Sequence, residues 1–495
     1  MATVRARAAR RQAARVGMPV RLRWCCMARV LCINPWIYDF AAYNTWIEPL
    51  GLLTVAAVLR QAGHDVAYVD CLDRHHPDAP APRSDRDAYG CGHFLKVEVA
   101  KPPVLAHIPR RWGRYGLPLS AFDRELDARS RPDGVVVTSM MSYWYPGPFE
   151  VIRRVKARWP GVPVALGGIY ATLCPGHARA CSGADAVFVG PGEMQALRWV
   201  VSIAPGGAAR RRQVAPSFLS DIWPAHDLRR PQGYVAIQTA RGCPFDCPYC
   251  AVHRLAPRGF LPRPAEQVVR EIAWCVESLG ARDVAFYDDA LLVHAAQHIH
   301  PILDEIIGRG LQVRFHTPNG LHARFIDLPL AQKMHRAGFV TVRLGLETAD
   351  PVEQLRDGAK VDDPGFARAV AALFAAGFPA RQIAAYVLIG RPGQRVAETQ
   401  ATVAFAHRLG IPVSAAQFSP IPNTTEWQAA VAAGWFPVDA DPLLHNNSAY
   451  PCAHAPADAQ AWEEVKQQIR EGNRALLDHY AAHGVLGNYA GADTA

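Results

Sequence analysis

No stretch of the 495-residue chain runs to eighteen uncharged apolar residues, although half of its residues are hydrophobic. A helix needs about 20 such residues to cross a bilayer, so no membrane span is expected. The first 23 residues contain no acidic residue and no apolar core of the kind a secretory signal requires. They are rich in Ala and Arg and suit a transit segment or basic arm; the simpler expectation is a disordered, dispensable leader over residues 1–27, with translation starting as late as Met27. Most of the net charge of +9 lies in that leader, and the near-neutral remainder gives no reason to expect a nucleic-acid partner. Internal sequence repeats are also missing. The chain has 12 Cys; without a signal peptide a reducing, cytoplasmic compartment is expected, where clustered Cys point to metal rather than to disulfides.

What is present is a long alternation of strand and helix patterns. Apolar runs at Val30–Asn34, Val66–Val69, Val135–Thr138, Val164–Leu166 and Ala186–Val189 predict strands, and helices are predicted at Pro49–Ala62, Pro148–Arg158 and Gly192–Ile203. This predicts a doubly wound, Rossmann-like parallel sheet over 28–204. The pattern fades at about 71–132, a polar insertion rich in Arg, Pro and Gly that reads as an elaborated loop or lid. Residues 205–232 read as a linker. The alternation restarts with strands at Tyr234–Thr239, Asp283–Tyr287, Val313–His316, Val340–Leu344, Ile383–Leu388 and Val413–Phe418. Helices fit between them at about 265–279, 295–309, 328–337, 363–376 and 396–409. Six such units predict a partial (β/α)6 barrel over 233–425. A C-terminal extension, 426–495, is helical from about Asp458 to His483. The fold class is thus α/β.

The one tight cysteine group is Cys243-Pro-Phe-Asp-Cys247-Pro-Tyr-Cys250, directly after the first barrel strand, where parallel barrels carry their chemistry. Four-iron clusters ordinarily take four Cys. Three thiolates on one loop leave an iron open for another molecule, as catalytic metal sites do. Cys275, the next in sequence, falls mid-helix. Zinc is the alternative, with His253 as a fourth ligand. Cys71, Cys91, Cys174 and Cys181 have no ligand spacing and read as buried thiols.

Cys-x3-Cys-x2-Cys with Tyr249 before the last Cys resembles the radical S-adenosylmethionine (SAM) superfamily motif. The resemblance continues, in order, at Phe286-Tyr-Asp-Asp-Ala290, His316-Thr-Pro-Asn-Gly320, Arg343-Leu-Gly-Leu-Glu-Thr348, Val387-Leu-Ile-Gly-Arg-Pro-Gly393 and Phe418-Ser-Pro-Ile-Pro-Asn-Thr424. It implies that Cys243, Cys247 and Cys250 hold a 4Fe–4S cluster. It further implies that SAM chelates the open iron and is cleaved to a 5′-deoxyadenosyl radical, with Tyr249, Glu347 and Gly390 approaching it. A flavodoxin- or ferredoxin-type electron donor is implied as partner. Of the pair Asp288-Asp289, only one side chain is expected to face the interior, since neighbours on a strand point oppositely; the pair serves either SAM or substrate, or a capped loop.

The first half resembles the cobalamin-binding domain that precedes many radical SAM barrels, through Ser139-Met-Met141, Gly167-Gly168 and Gly190-Pro-Gly-Glu193. The resemblance implies cobalamin contacts from Ser139, Gly167, Gly168, Gly190 and Gly192, glycine admitting a bulky ligand to the backbone. The family's axial-histidine signature is missing: the loop after the first strand is Asn34-Pro-Trp-Ile-Tyr-Asp39. Trp36, Tyr38, Tyr43, Trp46, Tyr143, Trp144 and Tyr145 either cover a ligand or pack. The implied reaction is methylation of an unactivated carbon of a small molecule. The alternatives are a radical rearrangement or carbon–carbon bond formation without cobalamin and, in another class, a non-catalytic iron–sulfur or zinc protein. The sequence names no further catalytic residue.

Overall fold

The computed structural model describes residues 27–79, 88–204, 222–449 and 456–483; the expected leader up to residue 26 and residues 205–221 of the expected linker lie outside the described residues. Two parallel sheets carry the chain. The first contains β1 (Arg29–Asn34), β2 (Asp65–Asp70), β3 (Gly134–Val137), β4 (Val164–Leu166) and β5 (Ala186–Val187), in spatial order β5-β4-β3-β1-β2. Alternation along β1 explains why both faces are covered. Val30 and Cys32 enter a core with Leu53 and Val58 of α1 (Leu50–Gln61). Leu31 and Ile33 enter the opposite core with Val151 and Val155 of α2 (Pro146–Arg158). The strand order reverses between β1 and β3, and a doubly wound sheet opens a ligand crevice at the carboxyl ends there.

The second sheet runs β6 (Tyr234–Ile237), β7 (Asp283–Phe286), β8 (Arg314–His316), β9 (Phe339–Glu347), β10 (Ile383–Ile389), β11 (Val413–Gln417), every neighbouring pair parallel and in chain order. Its outer face packs against the intervening helices in one large core. On β9, Val342, Leu344 and Leu346 join that core, so Thr341, Arg343, Gly345 and Glu347 face the barrel lumen. The tail helix (Pro456–His483) adds Trp462, Val465 and Ile469 to the same core. Its Asn473 accepts from the Val413 N–H at 2.8 Å and donates to the Val413 carbonyl at 2.8 Å, covering the start of the outer strand much as a further strand would.

Three expectations need correction. The 71–132 insertion holds strands: Ile37–Asp39 pairs antiparallel with Gly113–Tyr115, which pairs with Lys96–Glu98, and a helix spans Leu119–Asp127. Strands of three residues are too short for a visible alternation. The helix expected from 295 begins at Ile299, because His294 adopts a positive φ of 52°. The first barrel strand stops at Ile237 rather than Thr239, because Thr239 is drawn onto Asp288.

Candidate active site

Asp288, at the carboxyl end of β7, sets the origin of the cysteine loop. It is buried and accepts from the Thr239 N–H at 3.0 Å, the Thr239 hydroxyl at 2.7 Å and the Ala240 N–H at 2.7 Å. Burial is the larger influence and pushes its carboxyl up to about 6, against these hydrogen bonds. Of the expected alternatives, Asp288 is therefore the loop's internal cap, while Asp289 is exposed. The loop is closed at its base by an antiparallel pairing of Ala240–Arg241 with Leu261–Pro262. Between that pairing and Cys243 stands Gly242, φ +81°, where a Cβ would lie 2.5 Å from the Pro257 carbonyl and 2.6 Å from that of Gly259. Only glycine fits there.

Cys243 and Cys247 are buried and Cys250 is exposed; the Cys250 N–H donates to the Cys247 carbonyl at 3.0 Å. Burial pushes the Cys243 and Cys247 thiols up. His253, weighed as a zinc ligand, places Nε2 2.9 Å from the Phe245 carbonyl and 3.0 Å from Asp246. Cys275 lies buried within its helix. The described cysteines form no disulfide.

Tyr249 and Glu347 are brought together by a residue that the sequence reading did not single out. Lys360 Nζ donates to the Tyr249 hydroxyl at 2.9 Å and lies 3.1 Å from Glu347 Oε1. Burial would lower Lys360, but Glu347 and the cysteine loop together outweigh it and raise its pKa. Glu347 ends β9 with a positive φ of 64°, beside a register shift between Gly345 and Glu347; such backbone is costly for a non-glycine residue and concentrates at functional sites. Gly390 opens onto free space. Next to it, Arg391 is also new: its guanidinium sits 5.5 Å from the Tyr249 ring centre, binds Asp357 through two 2.7 Å contacts and reaches Glu426 at 3.0 Å. The Glu426 N–H in turn donates to the Pro248 carbonyl at 2.9 Å. Buried Arg–carboxylate forks of this kind fix geometry, and here they fix the wall behind the cysteine loop.

In the first half, Ser139 and Gly168 meet each other. The Ser139 hydroxyl donates to the Gly167 carbonyl at 2.6 Å, and a Cβ on Gly168 (φ +95°) would overlap the Ser139 backbone. Internal packing by itself requires glycine at 168. Gly192 has only Val55 nearby and Gly167 only Phe188, each at 3.6 Å, while Gly190 faces open space. Met141 and Val189, on loops after β3 and β5, are exposed. These residues stand at the carboxyl ends of the strands, where doubly wound sheets bind their ligands. The loops after β1 and β3 meet, since the Trp144 indole donates to Asp39 at 2.6 Å. Trp36, Trp46 and Tyr143 are nevertheless buried in protein contacts.

Loops at the carboxyl ends of the two sheets touch each other. Glu193, opening α3 (Glu193–Ile203), pairs at 2.6 Å with Arg241 beside the cysteine loop. The segment at 441–446 spans both halves, His445 meeting the Ser142 hydroxyl at 3.1 Å and Asn446 donating to Asp39 at 2.9 Å. Trp46 (φ 57°) enters the barrel floor and stacks on His316, ring centres 4.3 Å apart; its carbonyl accepts from the Tyr287 hydroxyl. Glu48, from the same segment, is buried. It binds His226 at 2.8 Å, the Ala236 N–H at 2.6 Å and Arg229 at 3.1 Å, while His226 also reaches Glu271 at 3.1 Å.

A cysteine loop lies at the mouth of a six-stranded parallel barrel that is joined to a doubly wound sheet; among the described residues no three His, Cys, Asp or Glu side chains are gathered as a metal site. Residues 237–406 match the Radical SAM superfamily. The chain is 29% identical over 304 residues to an "uncharacterized methyltransferase" of Synechocystis sp., covering 59% of this chain and 55% of that one. It is 26% identical over 329 residues to an "uncharacterized methyltransferase" of Pyrococcus horikoshii, covering 61% and 70%. The chain thus spans about half the length of the first of these relatives. Among solved structures, the radical SAM methyltransferase TsrM of Kitasatospora setae, with cobalamin and a 4Fe–4S cluster bound, matches with a TM-score of 0.59 at 17% identity, covering 86% of this chain and 84% of that one. At that identity the likeness establishes the fold. Among the described residues, no helix is long and apolar enough to cross a membrane.

Proposed function

We propose that this chain is a radical SAM enzyme that methylates an unactivated carbon of a small molecule with the help of cobalamin. Cys243, Cys247 and Cys250 would hold the 4Fe–4S cluster, and the crevice over β1 and β3, bordered by Met141, Val189 and Gly190, would hold the corrin. When bound, these groups supply the electron that splits SAM into methionine and a 5′-deoxyadenosyl radical, and the methyl group that replaces the abstracted hydrogen. The chain's own residues do the positioning. Asp288 and Gly242 shape the loop, Lys360 keeps Tyr249 and Glu347 together at the SAM position, and the Arg391 fork braces the loop's far side. The observation that carries the reading is the 2.6 Å Glu193–Arg241 pair, which holds the last loop of the first sheet against the cysteine loop, so that one substrate can reach both cofactors. The domain division that fits this is a cobalamin-type half (28–204), a linker (205–232), a radical SAM barrel (233–425) and a tail (426–495). A flavodoxin- or ferredoxin-type donor in the cytoplasm would provide the electron.

The test is anaerobic reconstitution with iron and sulfide, with and without hydroxocobalamin, followed by desalting, iron analysis and a visible spectrum. About four irons with a retained cobalamin spectrum are expected. Four irons without cobalamin would leave a radical rearrangement or carbon–carbon coupling, with the first half a scaffold. Zinc retained in place of iron would overturn the proposal in favour of a non-catalytic metal protein.

A further inference from the structure

We propose that Arg343, inside the barrel, binds a carboxylate carried by the small-molecule substrate. The inference rests on the reading of the barrel as a SAM-dependent site and names the chemistry of what enters it. Arg343 lies on the lumen face of β9. Its neighbours across the sheet are His316 on β8, whose strand partner is Thr341, and Tyr386 on β10, opposite Gly345.

Arg343 Nη1 is fully buried and has no hydrogen-bond partner. A guanidinium does not discharge to escape such a position, and a buried donor left unpaired is destabilising. Burial pulls its pKa down, with only the Tyr386 hydroxyl opposing, and that hydroxyl already donates to the Pro318 carbonyl at 2.8 Å.

Three carboxylates of the barrel are committed elsewhere. Asp283 is held by two 2.6 Å contacts from Arg314 and by His316 at 2.9 Å. Asp288 is held by Thr239 and Ala240, and Glu347 by Lys360. The missing counter-charge is therefore an anion from outside the chain. Arg343 precedes Glu347 by four residues, about 13 Å of extended strand, and the floor beneath is closed by Trp46 stacked on His316. A carboxylate anchored at this depth leaves the rest of a small molecule to extend upward to the cysteine loop.

The test uses the full-length, anaerobically reconstituted protein and thermal unfolding in acetate against chloride at equal ionic strength, for wild type, R343M and R343Q. In chloride, R343M and R343Q are expected to melt about 2–5 °C above wild type, since they remove an unpaired buried charge. Acetate is expected to raise the wild-type midpoint by a similar amount and to leave both variants unmoved. Equal wild-type midpoints in the two salts, or variants that melt below wild type or fail to fold, would show that Arg343 is already satisfied within the protein and overturn the proposal. A further arm adds SAM without acetate: a SAM-induced shift that disappears in both variants would assign the carboxylate to SAM instead. Iron content and 5′-deoxyadenosine formation by wild type are read separately, so a failure of the radical SAM reading appears there and not in the melting curves.

Discussion

Glu48→Gln tests the joint between the two halves. His226 lies between two carboxylates, Glu48 at 2.8 Å and Glu271 at 3.1 Å. An ionised carboxylate only accepts hydrogen bonds, so both ring nitrogens must donate and the imidazole must be charged. Burial would lower its pKa, but Glu48 and Glu271 outweigh burial and raise it from 6.5 to about 9. That shift corresponds to about 3 kcal/mol of native-state stabilisation. Because the folded value lies above the unfolded one, the native state holds more protons between the two. The contribution is full below pH 6.5 and is lost as pH rises through 9. Urea unfolding followed by tryptophan fluorescence at pH 6, 7.5 and 9 is expected to show wild-type stability declining across this window. Glu48→Gln is expected to lose about 2–4 kcal/mol at pH 6, leaving Arg229 and His226 short of a counter-charge, and to flatten the decline. A variant with the wild-type pH slope would refute the assignment of a charged His226.

Two further outcomes follow from local geometry. Gly242→Ala is expected to fold but to retain less than half of the wild-type iron after reconstitution and desalting, because the added Cβ meets the Pro257 and Gly259 carbonyls; wild-type iron content would show that the loop tolerates the displacement. Asn473→Ala is expected to cost about 1–3 kcal/mol in urea unfolding, since it unpairs both backbone groups of Val413.

Much of this architecture is written in local pattern. The strands around Val30, Val135 and Val164 are β-branched runs of ordinary length, and the Cys243–Cys250 spacing can be read without neighbours. Tyr249 and Glu347 were visible through their motifs, and Gly390 through its turn. Lys360 was not, because a lone lysine after Gly358-Ala359 has no spacing that distinguishes it; only the turn after the helix Pro351–Arg356 returns it to Glu347 and Tyr249. Arg391 stands within the Gly390–Gly393 turn that was noticed, yet its partners Asp357 and Glu426 lie 34 and 35 residues away. Glu48 and His226 are 178 residues apart, and no periodicity links them. The short strands of the insertion escaped for a different reason: three residues cannot display a period of two.

The placement of Trp46 has a practical meaning for recombining this chain with its relatives. A crossover in the 205–232 connection looks natural, but the barrel floor is finished by the first half: Trp46 covers His316, and Cys91 packs with Trp46, Tyr234 and Ala285. A chimera cut at the connection would pair a foreign plug with this barrel and expose the ring of His316, so the residues around 43–48 and 88–93 belong, as inheritance, to the barrel. The same segment carries Glu48, whose loss strands two cations. Exchangeable units in this protein are therefore defined by who fills the lumen, not by where the chain crosses from one sheet to the other.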